Sequence, residues 1–275
     1  MRLTLLFLAI FSAFAALAQD FPVMGYLYFE EGKPYHLLAD QVNVRATASE
    51  KGAVLTKLPI GTPLTFLGYD KKFYQSNGIN APWCKVKFTD KGKSQTGYVW
   101  APLIANQSLA VGKQLFLYGV DKVNAPKKGR DWPTVIVQMR LCQDNKQIAQ
   151  ASWETNADLQ TMNTLSELGN KGLNGTKSIF KVEYSNGYCG GAVGAYFVAW
   201  TGQELLFMLD VAEGFDAPYF LKKEVFFPND KGGKAGKIII QSESGEYVDD
   251  SDEPQISEKT TESYTWDGKK AKLDK

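Results

Sequence analysis

Along much of this chain apolar and polar residues alternate in short runs. Between residues 37 and 105 five such runs follow one another: Val42-Asn43-Val44-Arg45, Val54-Leu55-Thr56-Lys57-Leu58, Leu64-Thr65-Phe66-Leu67-Gly68, Trp83-Cys84-Lys85-Val86-Lys87-Phe88 and Gly97-Tyr98-Val99-Trp100. A period of two sends alternate side chains to opposite faces, so each run predicts a half-buried strand. Val42, Val44, Leu64, Phe66, Val86 and Phe88 form the candidate core. Gly61, after Pro59-Ile60, supplies the positive φ of a tight reversal. Gly97 allows a bulge or a close backbone approach. Upstream, two apolar runs flank Glu30-Glu31-Gly32-Lys33, which predicts a hairpin over residues 19–36 that extends the sheet or covers its edge.

A connector over residues 106–112 leads to a second region, 113–275. Strand-like runs recur there at 115–120, 134–141, 147–153, 178–184, 195–200, 205–209, 220–227 and 237–241. Asp144-Asn145 between two of them predicts a hairpin turn. Leu159, Met162, Leu165 and Leu168, followed by Gly169, predict one short helix over 158–168. Tyr196-Phe197-Val198-Ala199-Trp200-Thr201-Gly202 is echoed by Ser263-Tyr264-Thr265-Trp266-Asp267-Gly268, each a strand running into a Gly turn. The expected fold is mainly β, the second region being a meander or propeller-like domain.

The first 18 residues differ from the rest. Met1-Arg2-Leu3 is followed by an apolar run that ends Ala16-Leu17-Ala18. A basic start, a short apolar stretch and a small-x-small end are the parts of a secretory signal peptide. The run falls short of the ~20 residues that span a bilayer, so export to the periplasm or outside is expected, with no transmembrane segment after cleavage.

Charge is nearly balanced, with 31 basic and 30 acidic residues for a net +1, which argues against a nucleic-acid partner. Of the three cysteines, Cys142 and Cys189 are the candidate disulfide, and Cys84 a buried thiol. The pairing stays open, because an odd count in an oxidising compartment leaves one over.

The runs in 37–105, in their order, resemble the bacterial SH3 domain family. The shared stations are Val42-Asn43-Val44-Arg45, the turn at Gly61, Trp83-Cys84-Lys85-Val86 and Gly97-Tyr98-Val99 with the tail to Leu103. Departures are Ile60 in place of a frequent Lys and a longer stretch over 71–82. The resemblance implies a small five- to six-stranded barrel used for recognition of cell-wall peptide or an envelope protein. It implies Tyr69, Phe73, Tyr74, Trp83, Tyr98 and Trp100 as ligand-binding candidates, since aromatics combine large contact area with polar tips. Trp83 and Tyr98 also occupy stations that are usually core.

No catalytic signature accompanies the barrel. His36 is the sole histidine, so Cys189 has no evident base and gains little thiolate. One histidine also undercuts a zinc site. The turn at 168–175 lacks the carboxylates calcium needs, and no cofactor is expected. Three readings remain open: a non-catalytic binder of peptidoglycan, an envelope adaptor or inhibitor acting through 113–275, and a carboxylate-dependent wall glycosidase using residues such as Glu183, Glu204, Asp210 or Asp216.

Overall fold

The computed structural model describes residues 25–126, 133–155, 162–185, 193–247 and 254–274. Residues 1–18, where a signal peptide is expected, and Cys189 lie outside the described residues. Six strands form the first sheet: β1 (Pro34–His36), β2 (Val42–Arg45), β3 (Val54–Leu58), β4 (Pro63–Ser76), β5 (Ile79–Asp90) and β6 (Lys93–Trp100). It is antiparallel, in the order β1-β4-β5-β6-β2-β3, and curls as a half-barrel. The expected core residues Val42, Val44, Leu64, Phe66, Val86 and Phe88 are all buried.

The hairpin expected over 19–36 is not formed by the described part of that segment. Gly25–Leu27 is a single 3₁₀ turn, and β1 pairs with β4 instead. The reason is a clamp from the barrel. Tyr69 Oη accepts a hydrogen bond from the Phe29 N–H at 2.6 Å and donates one to the Leu27 carbonyl at 2.6 Å. The backbone groups that a hairpin would use are thereby taken, and Tyr26, Leu27 and Phe29 are buried.

The stretch over 71–82 is the outer half of a long β4–β5 hairpin. Beyond a register shift, Phe73 pairs with Pro82 and Ser76 with Ile79. Asn77 and Gly78, both at positive φ, make the tip.

The second sheet, order β10-β9-β8-β7, holds β7 (Gln107–Val111), β8 (Gln114–Asn124), β9 (Thr134–Gln143) and β10 (Lys146–Thr155). The connector expected at 106–112 is thus mostly strand. Asp144 and Asn145 adopt φ of 50° and 59° in the β9–β10 turn, the conformation of a type I′ hairpin. The third sheet is an eight-stranded meander in chain order: β11 (Met162–Glu167), β12 (Ser178–Ser185), β13 (Val193–Trp200), β14 (Leu205–Asp216), β15 (Tyr219–Phe226), β16 (Lys237–Tyr247), β17 (Pro254–Trp266) and β18 (Ala271–Leu273). Both Trp-x-Gly echoes end a strand and open a hairpin, β13–β14 and β17–β18, with Gly202 and Gly268 at positive φ.

The expected helix is corrected to strand β11 over its described part. Spacings of three in Met162 and Leu165 suit a helix, but Asn163 and Leu165 alternate inward and pair with Tyr184 and Val182 of β12. Covering that open sheet edge outweighs a weak helical pattern.

One hydrophobic core runs through all three sheets. It joins Val44, Phe66 and Val86 of the barrel to Phe116, Tyr118 and Met139, and on to Phe180, Val182, Tyr196 and Val198. Phe116 and Phe180 meet with ring centroids 3.9 Å apart. A second core on the opposite face of the meander gathers Ile179, Ala199, Phe227, Ile240 and Trp266. Neighbouring residues of β12 and β13 enter different cores, which is why 195–200 reads as an unbroken apolar run.

His36 sits at the seam between the first two sheets, its Nδ1 3.0 Å from Ser108 Oγ. Burial lowers its pKa from the usual 6.5. The unfolded chain therefore takes up this proton at higher pH than the folded one. The stability it supports is complete above about pH 6.5 and declines as pH falls through the lower folded pKa. Urea midpoints at pH 7.5 and pH 5 should differ more in the native protein than in His36→Gln; equal differences would refute the assignment.

Candidate functional site

The aromatic candidates divide by environment. Trp83 and Trp100 are directly paired across β5 and β6, yet only 5% and 7% exposed. The β4–β5 extension seals them. Trp100 Nε1 donates to the carbonyls of Tyr74 and Ala81 at 3.1 and 3.2 Å. The Tyr74 ring packs against both indoles, with centroids 6.0 Å from Trp83 and 5.4 Å from Trp100. These three rings are mutual packing, not an open groove. Tyr69 is committed to the clamp on residues 27–29, and its phenol pKa is raised by burial. Phe73, 52% exposed, stands away on the extension.

Tyr98 has a different setting. It lies opposite Lys85 on one side and Arg45 on the other, and Arg45 in turn faces Val54. Residues directly opposite in a ladder share a face, so Lys85, Tyr98, Arg45 and Val54 make one row across the barrel's outer surface. Tyr98 and Arg45 are half-buried, while Lys85 and Val54 are exposed. Arg45 Nη1 donates to the Gly52 carbonyl at 2.8 Å, which fixes its guanidinium along the surface. Lys57 and Lys87 extend the row's charge. Sequence reasoning picked out Tyr98 but missed the cations beside it, although the alternation of Lys85 and Lys87 with buried residues carried that signal. Residues 37–105 hold nine basic and four acidic side chains, so the balanced total conceals a basic barrel.

The four named carboxylates do not converge. Glu183 is paired with Lys181 at 2.6 Å on β12. Glu204 lies in the β13–β14 turn, tied to Thr201. The register puts Glu183 opposite Ala195 and Leu205 opposite Trp200, so five residues of strand, about 17 Å, separate Glu183 from Glu204. That exceeds the roughly 5–10 Å between paired glycosidase carboxyls. Asp210 lies opposite Tyr196 and accepts from Tyr184 Oη at 2.8 Å, on the face away from Glu183. Burial of the carboxyl raises its pKa, against the pull of the Tyr184 hydrogen bond. Asp216 is exposed at the end of β14.

Cys84 is a buried free thiol. Cys142 is also a free thiol, packed among Leu38, Ile60, Ala105 and Leu117. Its expected partner, Cys189, lies outside the described residues. Among the described residues no cluster of three His, Cys, Asp or Glu could hold a metal, and no helix is long and apolar enough to cross a membrane.

The family model for the bacterial SH3 domain matches residues 40–105, the span from just before β2 to just after β6. This segment is a bacterial SH3 domain. The match ends one residue after Ile104, which bridges to Leu37, so the family boundary coincides with the closing contact of the first sheet. The SH3 domain accounts for about a quarter of the chain. The chain has no significant match among curated proteins or solved structures.

Proposed function

We propose that the protein is an exported, non-catalytic binding protein of the bacterial cell envelope, and that its SH3 domain recognises carboxylate-bearing wall peptide. The observation that carries this reading is the row Lys85–Tyr98–Arg45–Val54 on a basic barrel. Cations beside an aromatic face suit a peptide with free carboxylates and aliphatic side chains. The leader-like first 18 residues and the usual occurrence of this domain in exported proteins support the location. The scattered carboxylates and the single histidine support a non-catalytic role.

The test is retention of the purified protein on isolated sacculi. Binding is expected at low salt and to fall steeply near 1 M salt, where the Debye length shrinks to about 3 Å. Lys85→Glu with Tyr98→Ala should weaken retention about tenfold or more, corresponding to ~1.4 kcal/mol, with an unchanged circular dichroism spectrum. Absence of retention at low salt would overturn the reading. A partner protein captured by cross-linking in the envelope would then favour the adaptor alternative.

A further inference from the structure

A concavity lies in the meander, far in sequence from the SH3 domain. β12, β13 and β14 turn one face toward the main core. Their other face curls toward β15 and the loop after it, leaving a trough of about 650 Å³. That lies within the ~300–1,000 Å³ usual for small-ligand sites. Its floor is apolar, formed by Ala195, Phe197, Val211 and Phe227, all buried.

The rim carries charge of both signs. At one end Lys171 Nζ meets Asp230 Oδ1 at 2.7 Å, joining the loop after β11 to the loop after β15. On β12, Lys181 Nζ meets Glu183 Oε1 at 2.6 Å. Glu213 also lines the trough, its Oε1 accepting from the Lys223 backbone N–H at 3.1 Å. Position 179, on the same face of β12, is fully buried, so the strand changes from apolar to charged as it enters the trough. A purely anionic or purely cationic ligand would meet like charge here, and a wholly apolar one would strip water from the rim without replacing it. Partly exposed ion pairs are weakly held, so a ligand bearing both charges can exchange partners with them at little cost.

We propose that this trough binds a short peptide with free termini, its carboxylate taken by Lys171 or Lys181, its ammonium by Glu183 or Glu213, and an apolar side chain on the Phe197 floor. The site is independent of the row around Tyr98.

Tripeptides with alanine at both ends and Ala, Leu or Phe at the centre are the probes, each with free termini, N-acetylated, or C-amidated. They are titrated into the intact ¹⁵N-labelled protein. The free forms are expected to shift the amides of Glu183, Ala195, Phe197 and Val211. Either blocked form should bind at least about tenfold more weakly. Lys171→Gln and Glu183→Gln, both at partly exposed positions, should each weaken the free form with an unaltered far-ultraviolet spectrum. The assignment is overturned if these amides do not move, or if all three forms bind alike. Movement confined to Tyr98 and its neighbours would also overturn it while leaving the SH3 reading intact.

Discussion

Replacing Phe116 with alanine is expected to destabilise the whole protein by about 3–5 kcal/mol, the usual cost of deleting a fully buried aromatic ring. Phe116 is completely enclosed, tilted against Phe180 with centroids 3.9 Å apart and edge-on to Trp200 at 6.5 Å. Net stabilities are commonly 5–15 kcal/mol, so this loss takes a large share. The informative part is its distribution. The core that holds Phe116 also holds Val44, Phe66, Trp83 and Trp100. Resolved amide resonances of β2–β6 should therefore shift their urea midpoint together with far-ultraviolet dichroism. A barrel transition left in place while the remainder shifts would show two independent folding units.

The second large effect is expected at the tip of the β4–β5 hairpin. Gly78 has φ of 72°, and a Cβ there would collide with the Val123 carbonyl oxygen. The Val123 N–H donates to the Asn77 carbonyl at 3.0 Å, so the tip is docked directly on β8. Gly78→Ala must lift it, adding left-handed strain to a lost hydrogen bond and uncovering Ile79 and Ala81, both fully buried. The sum is about 2–4 kcal/mol. Gly92→Ala supplies the control. Its φ is 76° and nothing lies within 4 Å of the added Cβ, so it isolates the strain at roughly 1–2 kcal/mol. The two variants should separate in urea midpoint, and faster amide exchange at Val123 should appear only in Gly78→Ala. Equal midpoints would mean that the docking contributes nothing.

The contrast between those glycines illustrates what could be inferred before the structure. Alternation identified the barrel strands and the inward residues Val42, Val44, Leu64, Phe66, Val86 and Phe88, because a half-buried sheet writes a period of two into the chain. The Asp144-Asn145 turn and both Trp-x-Gly hairpins were visible for a similar reason, being set by residues next to one another. Contacts spanning long separations were not. Tyr69 looked like a ligand-binding aromatic because the donor and the acceptor that engage its hydroxyl lie 40 and 42 positions away. Trp83 and Trp100 looked available until the extension folded over them. Residues 158–168 looked helical because Met162 and Leu165, three apart, fit a helix face; nothing local disclosed the unpaired edge of β12. The row around Tyr98 was half visible: each residue sits in an alternating run, but only the cross-strand register brings Lys85 and Arg45 to either side.

The docking of the β4–β5 hairpin on β8 also bears on how the molecule is made. A chain emerging from its N-terminus completes the SH3 strands at Trp100, but Val123, which receives the hairpin tip, lies 23 residues further on. During that interval Ile79 and Ala81 have no cover, and the domain is a basic body with an open apolar flank. Domains tend to fold as they emerge, so this one waits for sequence outside its own family boundary. An expression product stopped at Ala105 would hold that exposed state indefinitely, with self-association as its natural outlet.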